Sequence, residues 1–322
     1  MKGMPPSAAS LASMKPALLW EKAKEEPADF RKLQAALERN APVTGTTEPT
    51  LARLILDAVS HPGSLFRARL TAGTAEALGL ESRQAEHLAC IVEYDHLASL
   101  LLDDLPCMDD AAERRGRICA HLLHGEAPAI LGAIALITRA YALLGGLLVA
   151  APISAQREAV GFVEMRLGTI GILNGQAFDL AAGERKERRG AAWIAMRKTV
   201  PLIDLALGLP ALLAGSGKRE AGLLRRLAVY WGLAYQAMDD FKDVWSHPAK
   251  SGKTAQRDVL LGRPNASMEM GSLAARRYLF RLLRLAEETV AQLAEGRAAL
   301  AFLKAFSGQI RSEWERVEGL HR

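Results

Sequence analysis

Two groups of aspartates are the residues most able to do chemistry. Asp103 and Asp104 close an apolar run in SLLLDDLPCMDDAAERRGR, with Asp109 and Asp110 just after; Asp239, Asp240 and Asp243 lie in YQAMDDFKDVW. In a helix of about 3.6 residues per turn, Asp239 and Asp243 share one face, with Asp240 alongside. Carboxylates this crowded repel one another, so solvent or bound cations must compensate. Mg²⁺ takes one or two carboxylates plus waters and phosphate oxygens, and it suits such a site. Either cluster alone reads equally well as an acidic helix end in water. Two clusters, each after a strongly apolar helix and each followed by basic residues, point instead to a pocket that clamps a diphosphate from opposite sides.

The basic residues are Arg114 and Arg115 after the first cluster, and Lys253 and Arg257 in SGKTAQRD after the second. Guanidinium forks match phosphate oxygens bidentately and lysine adds a point charge. Pro106 removes a helical hydrogen bond. Leu105–Met108 is therefore expected to bulge and return Asp109 to the face of Asp103.

These clusters need rigid elements behind them. The chain has 322 residues, 50% hydrophobic and 24% charged, with only 6% aromatic, a mix that favours helices over sheets. The periodicity after residue 50 is helical throughout and strand-like alternation is scarce. A helix is expected near Ala28–Arg39, with breaks at His61-Pro62-Gly63, Leu78-Gly79-Leu80, Gly125–Pro128, Gly183–Gly190, Gly215–Gly217, His247–Gly252 and Gly262–Asn265. The economical architecture is an N-terminal segment, 1–45, and one all-α domain, 46–322. Two apolar stretches, Ala127–Ile153 and Val200–Ala214, are interrupted by Arg139 and by Pro201, Asp204 and Pro210, and read as buried core helices rather than membrane spans.

Net charge is +5 and spread along the chain, with no Lys/Arg block to suggest nucleic acid. Cys90, Cys107 and Cys119 show no metal-ligand spacing. The N-terminus lacks an uninterrupted apolar run, so a reducing, cytoplasmic setting is expected.

At the aspartates the sequence resembles the trans-isoprenyl diphosphate synthases, the polyprenyl synthetase family, and within it the carotenoid-pathway geranylgeranyl diphosphate synthases. DDLPCMD is similar to the family's first aspartate-rich motif in its two-residue-insertion form and DDFKD to the second. RRG, His96, Lys198-Thr199, Tyr235-Gln236, GKT with a following RD, and the RPNA of Arg263–Ala266 fall in register. The resemblance covers roughly residues 50–300. It implies an all-α bundle around a cavity, a homodimer, and Mg²⁺ as cofactor, with three ions. By resemblance Asp103, Asp104, Asp109, Asp239, Asp240 and Asp243 hold the metals. Arg114, Lys198 and Lys253 contact the allylic diphosphate; Arg67, His96 and Arg115 hold isopentenyl diphosphate; Gln176, Thr199 and Gln236 line the site near the developing cation. Asp179 falls behind these residues. Ala98 and Ser99, small and about one turn before Asp103, would admit a growing C20 tail.

The family's GGKRxRP is replaced here by PGSLFRARL, with Ser64 at the lysine, Leu65 at the first arginine and Arg67 retained. One charge-assisted hydrogen bond is worth about 1.5–3 kcal/mol, so this loss is expected to weaken isopentenyl diphosphate binding by roughly tenfold to a hundredfold. Two other readings stay open: a terpene cyclase on the same scaffold, working without isopentenyl diphosphate, and a silent regulatory subunit of a heteromeric synthase.

Overall fold

The computed structural model describes residues 28–183, 189–245 and 263–319. They form α1 (Ala28–Asn40), α2 (Pro49–Ser60), α3 (Phe66–Ala77), α4 (Ser82–Asp103), β1 (Glu113–Arg114), β2 (Arg117–Ile118), α5 (Ala120–His124), α6 (Glu126–Leu148), α7 (Ile153–Leu167), α8 (Ile172–Leu180), α9 (Ala191–Lys198), α10 (Val200–Leu213), α11 (Lys218–Trp245), α12 (Ala266–Met270), α13 (Ser272–Gly296) and α14 (Leu303–Gly319). The expected all-α class holds; the exception is one antiparallel hairpin of two-residue strands, too short to show alternation in sequence.

Capping chemistry sets several helix starts. The Glu48 side chain accepts from Leu51 N at 2.8 Å with Pro49 in the first turn of α2, and Glu81 and Gln84 form a capping box on α4. On α11 a stripe of Leu223, Leu224, Leu227, Trp231, Ala234, Met238 and Phe241 is buried, and it ends beside Asp239 and Asp240. α4 is the central strut, packed against α1, α3, α6 and α10. Its second half is buried, and this delivers Asp103 rigidly to the site.

α1 belongs to the same body: Leu33, Ala36 and Leu37 join the main hydrophobic core, and the Tyr94 hydroxyl donates to Leu37 O at 2.6 Å. Packing therefore does not change at residue 45. The expected breaks at residues 247–252 lie outside the described residues.

The two apolar stretches differ. α10 is buried along nearly all its length. α6 is not a buried core helix all round. One face packs on α2 and α4, while Leu131 (53%) and Ile134 (52%) stand exposed on the other. By length and composition alone α6 is long and apolar enough to cross a membrane.

The charge inside α10 has a structural use. Asp204 accepts from Arg166 Nε at 3.0 Å and Nη2 at 2.8 Å, and the Arg166 guanidinium lies 3.4 Å from the centroid of the Phe162 ring, locking α7 to α10. Removing one partner strands the other charge in low dielectric. Asp204→Ala is expected to cost about 3–5 kcal/mol, read as a fall in the denaturant midpoint.

Candidate active site

Pro106 ends α4 outright, which corrects the expected bulge in a continuing helix. Asp104 is the C-cap, and the chain turns through Leu105–Asp110 with Met108 N donating to Leu105 O at 2.9 Å. Asp109 N donates to Asp103 O at 2.9 Å, so Asp109 still returns to Asp103. Burial first, then repulsion from Asp109 and Asp104, pushes the Asp103 carboxyl up to about 6 against the pull of Lys198 and Arg114.

The hairpin then folds the basic pair back. Arg115 (φ 56) and Gly116 (φ 74) occupy its two-residue turn, where a primed turn needs positive φ at both positions. Arg114 donates to Asp104 Oδ1 from Nε at 2.7 Å and from Nη2 at 2.6 Å, and Arg115 Nη1 donates to Pro62 O at 2.8 Å. Gly63 permits that approach, since a Cβ there would collide with the Arg115 guanidinium.

Arg67, on the first turn of α3, donates from Nη1 to His96 Nε2 at 3.3 Å. Burial, then Arg67, Arg115 and Arg114, drive the His96 pKa well below its usual range. The ring is therefore neutral, accepts at Nε2 and carries its proton on Nδ1. Three arginines around a neutral histidine make a positively charged cluster. Of the replaced motif residues, Ser64 is exposed, while Leu65 takes φ 50 and buries its side chain in the core.

Opposite, α8 and α9 cross so closely that a Cβ on Gly175 would meet the backbone of Arg197 and Lys198. Lys198 Nζ donates to Asp179 Oδ2 at 2.6 Å. Thr199 Oγ1 donates to Gln236 Oε1 at 2.7 Å, and Gln236 Nε2 donates to Asp240 Oδ1 at 2.9 Å. Gln176 Nε2 is buried without a hydrogen-bond partner among the described residues.

The second cluster divides in two. Asp239 is solvent-facing at 60% side-chain exposure and pairs with Lys242 at 3.1 Å, and Asp243 is half-buried. Asp240, expected as a metal ligand, lies differently from its neighbours. It is 1% exposed and faces inward, its Oδ2 accepting from Ala266 N at 2.7 Å while Oδ1 is held by Gln236. Neighbouring helix positions differ by about 100°, so when Asp239 faces solvent Asp240 meets the core.

Sequence reasoning gave no role to Arg263 and Asn265, beyond noting RPNA. Arg263 Nη2 lies 2.7 Å from Asp109 Oδ1 and its Nη1 3.9 Å from Asp179 Oδ2, while Asn265 Nδ2 donates to Asp240 O at 3.1 Å. This short segment ties the first cluster to the second, as Lys198-Thr199 does through Asp103 and Gln236. Lys253 lies outside the described residues. Ala98 is fully buried, and Ser99 Oγ donates to His96 O at 2.8 Å.

Among the described residues no three His, Cys, Asp or Glu side chains close around a metal by themselves. Arg114, Lys198 and Arg263 stand between the carboxylates. That donor set fits a hard cation completed by water and phosphate oxygens rather than an all-protein cage. The mutual repulsion felt by Asp103 is what such a cation would relieve.

The all-α bundle is a fold that solved structures share. The chain is similar in fold to a geranyltransferase from Helicobacter pylori complexed with magnesium and isoprenyl diphosphate (TM-score 0.75, 23% identity, covering 90% of this chain and 95% of that one). It is likewise similar to an FPP/GFPP synthase from Zymomonas mobilis (TM-score 0.72, 22% identity, covering 84% and 92%). The polyprenyl synthetase family matches residues 48–298, and the chain belongs to that family. Its relatives include a geranylgeranyl diphosphate synthase of Pantoea ananas, 32% identical over 276 residues (84% of this chain, 88% of that one). Another is the mitochondrial geranylgeranyl pyrophosphate synthase 6 of Arabidopsis thaliana, 36% identical over 241 residues (70% and 69%).

Proposed function

We propose that this protein condenses isopentenyl diphosphate head to tail with an allylic diphosphate and releases geranylgeranyl diphosphate, C20. The observation that carries the reading is the double tie between the two aspartate clusters, through Lys198-Thr199–Gln236 and through Arg263–Ala266, with cationic groups on both sides. Geranylgeranyl diphosphate synthases among its relatives support the product class.

Asp103, Asp104, Asp109, Asp239 and Asp243 would hold a set of three Mg²⁺ ions together with the substrate diphosphate. Asp240 positions Gln236 and the Ala266 backbone instead. When bound, Mg²⁺ neutralises the negative charge that develops on the leaving diphosphate. Arg114 and Lys198, and Lys253 beyond the described residues, grip that diphosphate. Thr199 and Gln236 place their oxygens near the allylic carbon, where positive charge appears. Arg67, neutral His96 and Arg115 hold isopentenyl diphosphate, whose double bond attacks the allylic cation. The proton lost from the new bond's neighbouring carbon goes to the departed diphosphate. The apolar faces of α4 and α10 exclude water that would quench the cation. Gathering Arg67, His96 and Arg115 in one place favours this reading over a cyclase that needs no isopentenyl diphosphate.

Labelled isopentenyl diphosphate with C5, C10 and C15 primers tests it. A labelled C20 product from the purified protein alone is expected, and conversion of the primers without incorporation would reject it. Ala98→Phe is expected to shift the product towards C15, read by chromatography of the dephosphorylated alcohols. The exposed face of α6 supports a homodimer, and light scattering should then give about twice the 34.8 kDa of one chain. The free Cys90, Cys107 and Cys119 thiols are compatible with a cytoplasmic setting.

A further inference from the structure

Lys242 sits inside the second aspartate cluster, and its ammonium lies between two carboxylates from different helices. Nζ donates to Asp239 Oδ1 at 3.1 Å and lies 3.0 Å from Glu313 Oε1 of α14. The other Glu313 oxygen, Oε2, pairs with Arg316 Nη2 at 2.7 Å, one turn along α14. Both oxygens of Glu313 are thus engaged, and Arg316 helps keep the carboxylate turned towards α11.

The neighbour of Glu313 fixes the register of this contact. Trp314 is 2% exposed and packs on α11, its ring centroid 5.2 Å from that of Phe241 and 5.9 Å from that of Trp245. Phe280 of α13 meets the same indole edge-on at 6.1 Å. The C-terminal helix therefore reaches the second cluster through one buried ring stack and, next to it, one ion pair.

An ammonium beside Asp239 opposes a divalent cation there, because it occupies a lone pair of the carboxylate and adds like charge to the same group. The lysine stem is flexible, and both carboxylates already lie within reach of its Nζ. Lys242 can pass from Asp239 to Glu313 without any movement of α11. Resting on the reading that Asp239 holds metal, we propose that Glu313 is a positioning residue for the second cluster: it takes and neutralises the Lys242 ammonium, so that a divalent cation gains the Asp239 carboxylate. Lys242 is then a built-in competitor for the metal, and the C-terminal helix sets how strongly it competes.

Equilibrium dialysis of Mn²⁺ against the full-length protein, at a fixed concentration of inorganic pyrophosphate, tests this without turnover. Metal is measured in both chambers, so Mn²⁺ held by free pyrophosphate cancels. Lys242→Met should tighten Mn²⁺ binding by about threefold to tenfold. Glu313→Gln should loosen it by about twofold to fivefold, the span of partly exposed ion pairs. In the double variant the effect of Glu313→Gln should vanish, leaving the affinity of Lys242→Met alone. A Glu313→Gln loss of the same size on the Lys242→Met background would overturn the proposal, since Glu313 would then act through its own charge and not through Lys242. A Lys242→Met protein that binds Mn²⁺ no tighter than the wild type would overturn it too, and that comparison decides even if Glu313→Gln does not fold. Asp239→Asn separates this from the reading beneath it: Mn²⁺ binding unchanged in that variant would show that Asp239 holds no metal, and the functional reading of the cluster would fail with it.

Discussion

Asp103→Asn should cut kcat by about a hundredfold to a thousandfold, the usual effect of removing one preorganised electrostatic group, while making the metal-free protein more stable. The two effects share one cause. Asp103 is buried beside Asp109 and Asp104, and its carboxyl sits at about 6 rather than the ordinary 3.8. Raising a carboxyl in the folded state means that ionising it opposes folding. Stability should fall as pH rises from about 4 to about 6, with the whole penalty present above that window. The size is on the order of 1–3 kcal/mol after allowing for solvent at the site mouth. Asparagine removes both the charge and this pH slope. Thermal melts of the two proteins in EDTA at pH 4.5 and pH 7.5 check it, and so does the loss of turnover under saturating Mg²⁺. A variant that is inactive and less stable at pH 7.5 would point to a structural role for Asp103.

Lys198→Ala should lower kcat/KM for the allylic substrate by about a hundredfold to a thousandfold. Burial works against the Lys198 charge, but Asp179, Asp103 and Asp109 outweigh it and hold the ammonium above its ordinary pKa, so it stays cationic throughout the working pH range. Truncation leaves Asp179 with the Arg263 guanidinium at 3.9 Å and removes a point charge from the proposed diphosphate grip. Lys198→Arg should recover part of the loss, and extra Mg²⁺ should recover part in Lys198→Ala by standing in for the missing charge. Steady-state kinetics at saturating isopentenyl diphosphate reads this out. An unchanged kcat/KM would move the allylic diphosphate elsewhere.

Much of this was legible in sequence because it depends on local rules. Helix breaks at His61-Pro62-Gly63, Leu78-Gly79-Leu80 and Gly215–Gly217 follow from proline and glycine chemistry, and the stripe on α11 from a helical period. The crowding of Asp103 with Asp109 was readable from their spacing and Pro106, although the turn that achieves it was not. What escaped the sequence depends on orientation or on distant partners. Nothing local says that Asp240 rather than Asp239 turns inward, because that choice is set by Ala266 and Gln236. Arg263 meets Asp109 across 154 residues (263 − 109), a pairing no window along the chain contains. The hairpin that returns Arg114 to Asp104 has strands of two residues, below any periodic signal, with only Arg115-Gly116 to hint at the turn.

The central claim is that Asp103, Asp104 and Asp109 share one set of metal ions with Asp239 and Asp243 through a single diphosphate. Anomalous diffraction from crystals grown with Mn²⁺ and a non-ionisable thio analogue of an allylic diphosphate tests it directly. Manganese peaks bridging both aspartate clusters by way of the same diphosphate are the expected result. Manganese confined to one cluster, or a diphosphate bound away from both, would contradict it.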